Sequence, residues 1–227
     1  MKTLSEKEVP LHYLRLDAPL QPAEIPRLRR IINTYVGGEN DLFHNHISRE
    51  QYHYRYPVVQ YKSVEGKAAL LGISDSGCSA IGHLLQHERF LAIFRQEGMN
   101  AHLLAEQTTE TLDLLERPMY EYRIEDYIAL NDRNLADWRY HRGMVFRAQL
   151  LERCLVGHCL KFASAIAWQL PPRSLEISLL DYRATNVRSF DINFLAFRID
   201  FLSNMRLPEW IGLGKAVSHG FGSVLPR

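Results

Sequence analysis

The sequence is poor in cysteine and has no long apolar run, and each shortage excludes a class of protein. Only three of its 227 residues are cysteines, Cys78, Cys154 and Cys159. Their number is odd and no CxxC pair is present, so we expect neither a disulfide framework nor a zinc ribbon. We expect the protein to work in a reducing compartment. No apolar run reaches the roughly 18 residues that span a bilayer. Residues 1–10 carry four charged side chains, which is unlike a signal peptide. We therefore expect a cytoplasmic protein with no membrane partner.

The chain also has little net charge, but that charge is unevenly distributed. Its formal net charge is +1. Residues 1–132 hold 14 Lys and Arg against 19 Asp and Glu, whereas residues 133–227 hold 13 against 7. The bias predicts a basic face on the C-terminal half, suited to nucleic acid or to an acidic protein partner.

The first half alternates predicted strands and helices. The patterns predict a strand over 9–16, a helix over 22–35, strands over 51–64 and 67–73, a helix over 77–94 and a strand over 99–115. The first helix has apolar residues three and four positions apart and places Arg27, Arg29 and Arg30 on its outward face. This order is that of the ferredoxin-like split βαβ unit.

The second half repeats the theme. The patterns predict a strand over 119–130, a helix over 145–168, strands over 175–182 and 187–201 across a short turn, a glycine-rich segment over 208–222 and a last strand over 223–225. We therefore predict an α+β protein of tandem ferredoxin-like (RRM-like) domains. The N-terminal domain covers 1–117 and the C-terminal domain 118–227, with the boundary near Pro118.

The glycine-rich segment is the most distinctive motif. It reads GxGxxxxxGxG, with three side-chain donors between the glycines, and its residues of interest are Gly212, Gly214, Lys215, Ser218, His219, Gly220 and Gly222. Closely spaced glycines allow backbone N–H groups to approach an anion. The spacing fits neither a Walker loop nor a Rossmann fingerprint. A plain glycine turn before the final strand is the alternative.

A second polar cluster lies in the first half. His44 and His46 flank one asparagine, and Tyr54, Arg55 and Lys62 follow. Histidine accepts and donates protons near neutral pH. Two histidines beside a cation are the groups needed to cleave RNA by transesterification, in which a base deprotonates the 2′-hydroxyl and an acid protonates the 5′-oxygen.

Two alternatives compete with acid–base catalysis at this cluster. One is a loop of satisfied polar residues. The other is a zinc site built from His44, His46 and Asp41, but no further ligand with recognisable spacing completes it. We therefore expect neither a metal nor another cofactor.

Three stretches together resemble the CRISPR-associated endoribonucleases that process repeat RNA, the sixth Cas family of the RAMP superfamily. The segment 212–222 is similar to the glycine-rich loop of that family. Residues 42–46 (LFHNH) with 54–62, and the helix around 155–158 (LVGH), look like parts of its N- and C-terminal halves. The resemblance implies two ferredoxin-like domains, metal-independent cleavage that leaves a 2′,3′-cyclic phosphate and a 5′-hydroxyl, and contact between the glycine-rich loop and the RNA backbone.

The resemblance also implies roles for individual residues. The family places its catalytic histidine after the first helix, which suits His46 or His44, with His46 favoured. Tyr54 and Lys62 match the tyrosine and lysine used by some members. The expected RNA-binding set is the glycine-rich loop together with Arg55. Within the loop, His219 stands where an arginine or lysine would be unsurprising.

The expected partner is CRISPR repeat RNA. Subunits of a CRISPR effector complex and a second copy of the chain are further candidates. Some members of the superfamily bind RNA without cutting it, so a non-catalytic effector subunit is the alternative function. A protein-binding module without RNA is a third hypothesis, and the basic bias and the glycine-rich loop disfavour it.

Overall fold

A computed structural model describes residues 2–36, 41–44, 46–48, 51–52, 56–86, 90, 92, 102–189 and 192–227. The chain forms two compact units. The N-terminal unit contains Val9–Glu110 together with Ser218–Gly220, and the C-terminal unit contains Met1–Glu8, Thr111–Val217 and Phe221–Arg227. Three residues of the glycine-rich segment thus belong with the first half of the chain.

The N-terminal unit has a four-stranded sheet with the strand order β4-β5-β1-β6. Its elements are β1 (Thr3–Pro19, whose first residues belong to the other unit), a 3₁₀ turn (Pro22–Glu24), α1 (Ile25–Val36), α2 (Asp41–His44), β2 (His46–Ser48), β3 (Gln51–Tyr52), β4 (Val59–Val64), β5 (Lys67–Ile73), α3 (Ser74–Gln86) and β6 (Leu103–Leu115). Without the small β2–β3 pair, this is the βαββαβ order of a ferredoxin-like fold.

Helix α1 covers one face of that sheet because its apolar residues recur at helical spacing. Leu28 and Ile32 are fully buried and pack with Leu14, Leu70 and Tyr61 of the strands. The hydroxyl of Tyr61 donates to Oδ1 of Asn33 at 3.2 Å, which ties β4 to the helix.

The C-terminal unit has a second four-stranded sheet, in the order β10-β7-β9-β8. Its elements are β7 (Tyr120–Tyr127), α4 (Asp132–Tyr140), α5 (Met144–Ala165), β8 (Ile177–Ser189), β9 (Ile192–Ser203), a 3₁₀ turn (Val217–His219, whose last two residues belong to the N-terminal unit) and β10 (Ser223–Pro226). The strand order is the same as in the first sheet. The glycine-rich segment occupies the place of the second crossover helix, so the predicted tandem α+β ferredoxin-like fold is confirmed.

Several predicted elements differ from the observed ones. The single strand predicted over 51–64 is wrong, because β3 and β4 are separate and residues 56–58 between them are irregular. Pro57 has no N–H to donate to a ladder. The turn predicted at 183–186 is also wrong: Arg183 pairs with Arg198 and Thr185 with Ala196, so β8 runs on to Ser189.

Helix α4 was not predicted at all. Its N-cap is Asn131, whose side chain accepts from the backbone N–H of Asn134 at 2.8 Å. Only Trp138 of its nine residues is buried. A helix that buries one side chain shows almost no apolar periodicity, and its capping residue was the one local signal available.

One buried amide connects three segments of the C-terminal unit. Asn204 is fully buried. Its Nδ2 donates to the carbonyl oxygens of Leu115, at 2.8 Å, and Ser174, at 2.7 Å, and its Oδ1 accepts from the N–H of Glu176 at 2.8 Å. The side chain therefore uses both of its donors and its acceptor to join the ends of β6 and β9 to the segment before β8.

The described residues contain neither a membrane-spanning helix nor a metal-binding cluster. No helix in the described part of the chain is long and apolar enough to cross a membrane. Among the same residues, no group of three or more His, Cys, Asp or Glu side chains is placed to hold a metal ion. The side chains of His44 and His46 lie outside the described part, so the zinc alternative is not tested.

Candidate active site

The two candidate catalytic histidines lie at the junction of α2 and β2. His44 is the last residue of α2 and His46 is the first of β2, where it pairs with Tyr52 of β3. Phe43 is 2% exposed and belongs to the apolar core of the N-terminal unit. Its burial anchors α2, so the backbone of the histidine segment is attached to the core on its N-terminal side.

Arg29 of α1 contacts the residue before His44. Its Nη2 lies 3.5 Å from the carbonyl oxygen of Phe43, and its Nη1 donates to Nε2 of His219 at 2.6 Å. Burial lowers the pKa of the Arg29 guanidinium, and nearby Tyr61 acts in the opposite sense. Arg29 therefore does not lie on an outward helix face as predicted. One guanidinium joins α1, the end of α2 and the glycine-rich segment.

Burial and the contact with Arg29 together keep His219 uncharged. Burial, and then the positive charge of Arg29, lower the pKa of His219 to about 4. Arginine only donates, so Nε2 of His219 must accept, and the single ring proton is on Nδ1. Nδ1 lies 3.4 Å from Oγ of Ser218. At neutral pH His219 is an uncharged, oriented imidazole.

The segment Ser218–Gly220, which we call the loop tip, packs closely in the N-terminal unit. Gly220 has φ +86°, and a Cβ there would collide with Cδ1 of Ile25 and lie 3.3 Å from the carbonyl oxygen of Tyr61. The positive φ favours glycine at this position, and an added Cβ would require the end of the Ile25 side chain to move.

Residues 212–215 and Gly222, which we call the loop stem, pack in the C-terminal unit. A Cβ on Gly222, at φ +65°, would collide with the carbonyl oxygen of Leu213. A Cβ on Gly214, at φ +96°, would lie 2.8 Å from the ring of Tyr127. Gly212 pairs with Ser223 through an isolated bridge. Gly214 and Gly222 are thus required as glycines by contacts within the protein, a reason that the motif spacing did not reveal.

Lys215 is the last residue of the stem's first segment, and His158 of α5 lies beside the stem. The N–H of Lys215 donates to the carbonyl oxygen of Ile128 at 3.0 Å, and its Nζ lies 3.9 Å from Oδ1 of the exposed Asp132. The hydroxyl of Tyr127 lies 2.6 Å from Nδ1 of His158. Burial lowers the pKa of His158 to about 4, with smaller contributions from Lys161 and Lys215. A second neutral histidine therefore supports the loop stem.

Lys62 is placed differently from the other predicted site residues. It is 1% exposed, and burial lowers the pKa of its amine to about 7. Successive residues of a strand point to opposite faces, and Tyr61 bonds to α1, so Lys62 points to the face away from α1. The structure thus brings His219 to Arg29 and to the segment of His44, but it does not bring Lys62 there. Tyr54 and Arg55 lie outside the described residues.

Sequence reasoning missed Arg29 as a site residue. Its position on α1 reads as one of three basic residues on a polar face. Its partner is 190 residues away in the chain, and no local pattern reports a contact of that separation. The clustering of His219 with the first half of the chain could not be predicted for the same reason.

Family models match both halves of the chain. The model of the Cas6b C-terminal domain matches residues 114–227, and that of the Cas6b N-terminal domain matches residues 7–110. An uncharacterised protein of Methanocaldococcus jannaschii is 32% identical over 108 residues, which is 47% of this chain and 72% of that protein.

Two solved structures share the fold across nearly the whole chain. A crystal structure of Cas6b has a TM-score of 0.82 at 19% identity, and a crystal structure of the CRISPR RNA processing endoribonuclease Cas6b has a TM-score of 0.75 at 20% identity. Each match covers 97% of this chain and 100% of the other. The two domain models between them account for almost every residue, and the chain belongs to the Cas6b family.

Proposed function

We propose that this protein is an endoribonuclease that binds CRISPR repeat RNA and cleaves it without a metal ion to produce guide RNAs. Family membership supports the substrate class, and one of the similar structures is named a CRISPR RNA processing endoribonuclease. The observation that carries the proposal is the Arg29 guanidinium, which lies between His219 of the loop tip and the backbone next to His44.

The reaction needs only groups that the chain and the RNA supply. His46 takes the proton of the 2′-hydroxyl, and the 2′-oxygen attacks the adjacent phosphorus. The bond from phosphorus to the 5′-oxygen then breaks, and His44 gives that oxygen a proton. The products are a 2′,3′-cyclic phosphate and a 5′-hydroxyl, with no water consumed. Tyr54 is a further candidate for a contact with the reacting phosphate, whereas the buried Lys62 lies on the face of β4 away from α1 and is no longer proposed for that role.

The internal nucleophile explains why a metal ion is not required. The 2′-oxygen is held close to the phosphorus by the ribose, so the entropic cost of bringing the reactants together has already been met. Positively charged side chains then stabilise the extra negative charge of the transition state.

Arg29 and His219 are positioning residues in this scheme. Nε2 of His219 accepts from Arg29, so it does not accept a proton from RNA, and the low pKa leaves little protonated imidazole to act as an acid. Their contact sets the loop tip beside the end of α2. The loop residues, from Gly212 to Gly222, are proposed to contact the RNA backbone together with Arg55.

The first experiment incubates the protein with repeat RNA in EDTA and analyses the ends of the products. We expect cleavage to persist, with a cyclic phosphate and a 5′-hydroxyl, and to stop when the nucleotide before the scissile phosphate is 2′-deoxy. Loss of cleavage in EDTA with recovery in Zn²⁺ would replace this mechanism with the zinc alternative. Tight binding without any cleavage would favour the non-catalytic effector subunit.

A second experiment tests the positioning role. His219→Asn retains a hydrogen-bond acceptor for Arg29, whereas His219→Ala removes it. If His219 only positions Arg29, His219→Asn cleaves at a rate near that of the wild type with an unchanged pH–rate profile, and His219→Ala is slower. A titration step that disappears in His219→Asn would instead make His219 a proton-transfer group.

A further inference from the structure

The connection between α4 and α5 presents aromatic and basic side chains that no role above uses. We call residues 139–146 the aromatic–arginine platform. Tyr140 is 82% exposed, Met144 78% and Val145 71%. Arg139 and Arg142 are exposed beside them. Large exposed side chains that adjoin one another on a folded surface are typical of a binding site.

Contacts with α5 and with the second sheet fix the backbone of the platform. Arg147 donates from Nε to the carbonyl oxygen of His141 at 3.0 Å and from Nη2 to that of Trp138 at 3.2 Å. Its guanidinium also lies 4.4 Å from the ring centroid of Trp138. Trp138 is buried, with its ring centroid 4.8 Å from that of Phe197 on β9. These contacts therefore fix the backbone that carries the exposed residues.

Ring contacts orient the exposed tyrosine. The ring of His141 packs on Phe146, with centroids 4.0 Å apart and planes tilted by 35°, and it meets Tyr140 edge-on at 4.9 Å. Arg153 lies 6.0 Å from the ring centroid of Phe146. Tyr140 is thus supported at one edge while most of its surface faces solvent.

Charge favours an anionic partner for this surface. Residues 138–153 contain four arginines and a single carboxylate, Glu152. Oε1 of Glu152 accepts from the N–H of Leu179 on β8 at 3.0 Å, so it is directed at the second sheet. A ring that offers a stacking face, with arginines on either side, is the combination that binds single-stranded nucleic acid.

We propose that the aromatic–arginine platform is an accessory RNA site that stacks an unpaired base on Tyr140 and contacts the flanking phosphates with Arg139 and Arg142. The inference rests on the proposed function, because it places an additional part of the same repeat RNA on this surface. The site uses none of the glycine-rich segment and neither of the candidate catalytic histidines. An acidic protein would meet the same arginines but would not need a planar ring at position 140.

The test measures affinity for two fluorescent RNAs, a repeat RNA made non-cleavable by a 2′-deoxy substitution and a ten-nucleotide oligouridylate. Base stacking on an aromatic side chain predicts that Tyr140→Ala raises Kd at least about fivefold for both RNAs. Tyr140→Phe keeps the ring and stays within about twofold. Arg142→Ala lowers the slope of log K against log salt by roughly 0.7, the share of one phosphate contact on a single strand.

Two controls separate this site from the rest of the molecule. Met119→Ala removes an exposed apolar side chain of the same unit (59% exposed) and leaves both Kd values unchanged. His83→Ala removes an exposed side chain of α3 in the other unit and likewise leaves both Kd values unchanged. Because Tyr140 is mostly solvated, we expect its truncation to preserve the fold, which circular dichroism and thermal melting check.

The outcomes distinguish failure of the site from failure of the proposed function. A Tyr140→Ala protein that binds both RNAs as the wild type does overturns the platform, even if the wild type cleaves repeat RNA as proposed. Equal weakening by Tyr140→Ala and Tyr140→Phe also overturns it, since stacking would not be the cause. Conversely, a wild type that binds without cleaving removes the proposed function, and weaker binding by Tyr140→Ala would still support the platform.

Discussion

The loop tip and the loop stem are parts of one glycine-rich segment, yet they are held by different interactions. The tip depends on a charged contact, in which Arg29 donates to His219 at 2.6 Å. The stem depends on close packing, with Gly214 against the ring of Tyr127 and Gly222 against the backbone of Leu213. A partly buried histidine with a pKa of about 4 accompanies each part, His219 at the tip and His158 at the stem.

The difference indicates a division of work along the segment. Close packing of glycine leaves no room for adjustment, so the stem should determine stability. The tip contacts α1, whose Arg29 also reaches the carbonyl oxygen of Phe43, the residue before the candidate catalytic His44, so the tip should influence cleavage.

The largest expected effect is on the cleavage rate, which we attribute to the histidine segment near the loop tip. His46→Ala should reduce the single-turnover cleavage rate of repeat RNA at least roughly a hundredfold, because a general acid or base contributes about 10²- to 10⁴-fold. The Kd for RNA should change only a few-fold, since phosphate contacts elsewhere dominate binding. His44→Ala should show a similar or smaller loss.

His83→Ala is the matched control, because His83 is an exposed histidine on α3 of the same unit. It should cleave at the wild-type rate. Wild-type cleavage by the His44→Ala, His46→Ala double variant would transfer the chemistry to other residues, of which Tyr54 would be examined first.

The next effect is on the stability of the stem. Gly222→Ala places a Cβ against the carbonyl oxygen of Leu213 at a positive φ, and backbone cannot yield as a flexible side chain can. We expect a loss of about 2–4 kcal/mol in the free energy of unfolding, measured by urea denaturation. Gly220→Ala at the tip meets the end of the Ile25 side chain and should cost less.

Gly66→Ala calibrates the backbone contribution alone. Gly66 has φ +74° but nothing lies within 4 Å of the added Cβ. Its cost should be about 1–2 kcal/mol, the strain of a left-handed residue. If Gly222→Ala proves no more destabilising than Gly66→Ala, the stem is not the tightly packed part of the segment.

The two partly buried histidines, His158 and His219, predict a pH effect of intermediate size. The folded pKa of each, about 4, is below the unfolded value of about 6.5. The unfolded chain therefore binds more protons at intermediate pH, and the contribution of each histidine to stability is lost as the pH falls from about 6.5 towards 4. Urea midpoints of the wild type should decline over this range.

His158→Asn and His219→Asn should each make that decline shallower, because each removes one of the groups that titrate. His83→Asn, at an exposed position, should leave the decline as in the wild type. A steeper decline in either buried-site variant would contradict the neutral state assigned to that histidine.

The smallest effect concerns a single surface charge on the stem. Lys215→Ala should weaken repeat-RNA binding modestly and reduce the slope of log K against log salt by about 0.7–0.9, one phosphate contact. Its ion pair with exposed Asp132 spans 3.9 Å, so little of its charge is neutralised within the protein. Lys67→Ala, which removes a lysine 2.6 Å from Asp17, is the comparison, and an equal slope for both variants would place Lys215 away from RNA.

Elements formed by interactions between residues close in sequence were predicted better than elements formed by interactions between distant residues. Helix α1 and strand β5 were anticipated because their apolar residues bury one or both faces and so leave a periodic pattern. Strand β8 was cut short because most of its residues are exposed at a sheet edge, where burial imposes no alternation. Its continuation is visible only in its pairing with β9.

The same distinction applies to the candidate site. The histidine pair and the glycine-rich segment were found from local residue types and spacing, and their catalytic and RNA-binding roles stay predictions. Arg29 was misassigned to an outward face because α1 alone gives no sign of His219. The packing role of Gly222 was likewise hidden, since the collision with Leu213 arises only when the segment folds back on itself.

The stability of the folded chain over time depends on one nitrogen atom, Nδ2 of Asn204. Hydrolysis of its side-chain amide would exchange Nδ2 for a carboxylate oxygen and so replace two donated hydrogen bonds with repulsion from the carbonyls of Leu115 and Ser174. A buried, uncompensated carboxylate at this junction would disfavour the folded state strongly. The same bonds hold the amide still while the chain is folded, so chemical ageing at this position would proceed through molecules that have already opened. Conditions that keep the C-terminal unit folded therefore also protect Asn204, on which its folding depends, from hydrolysis.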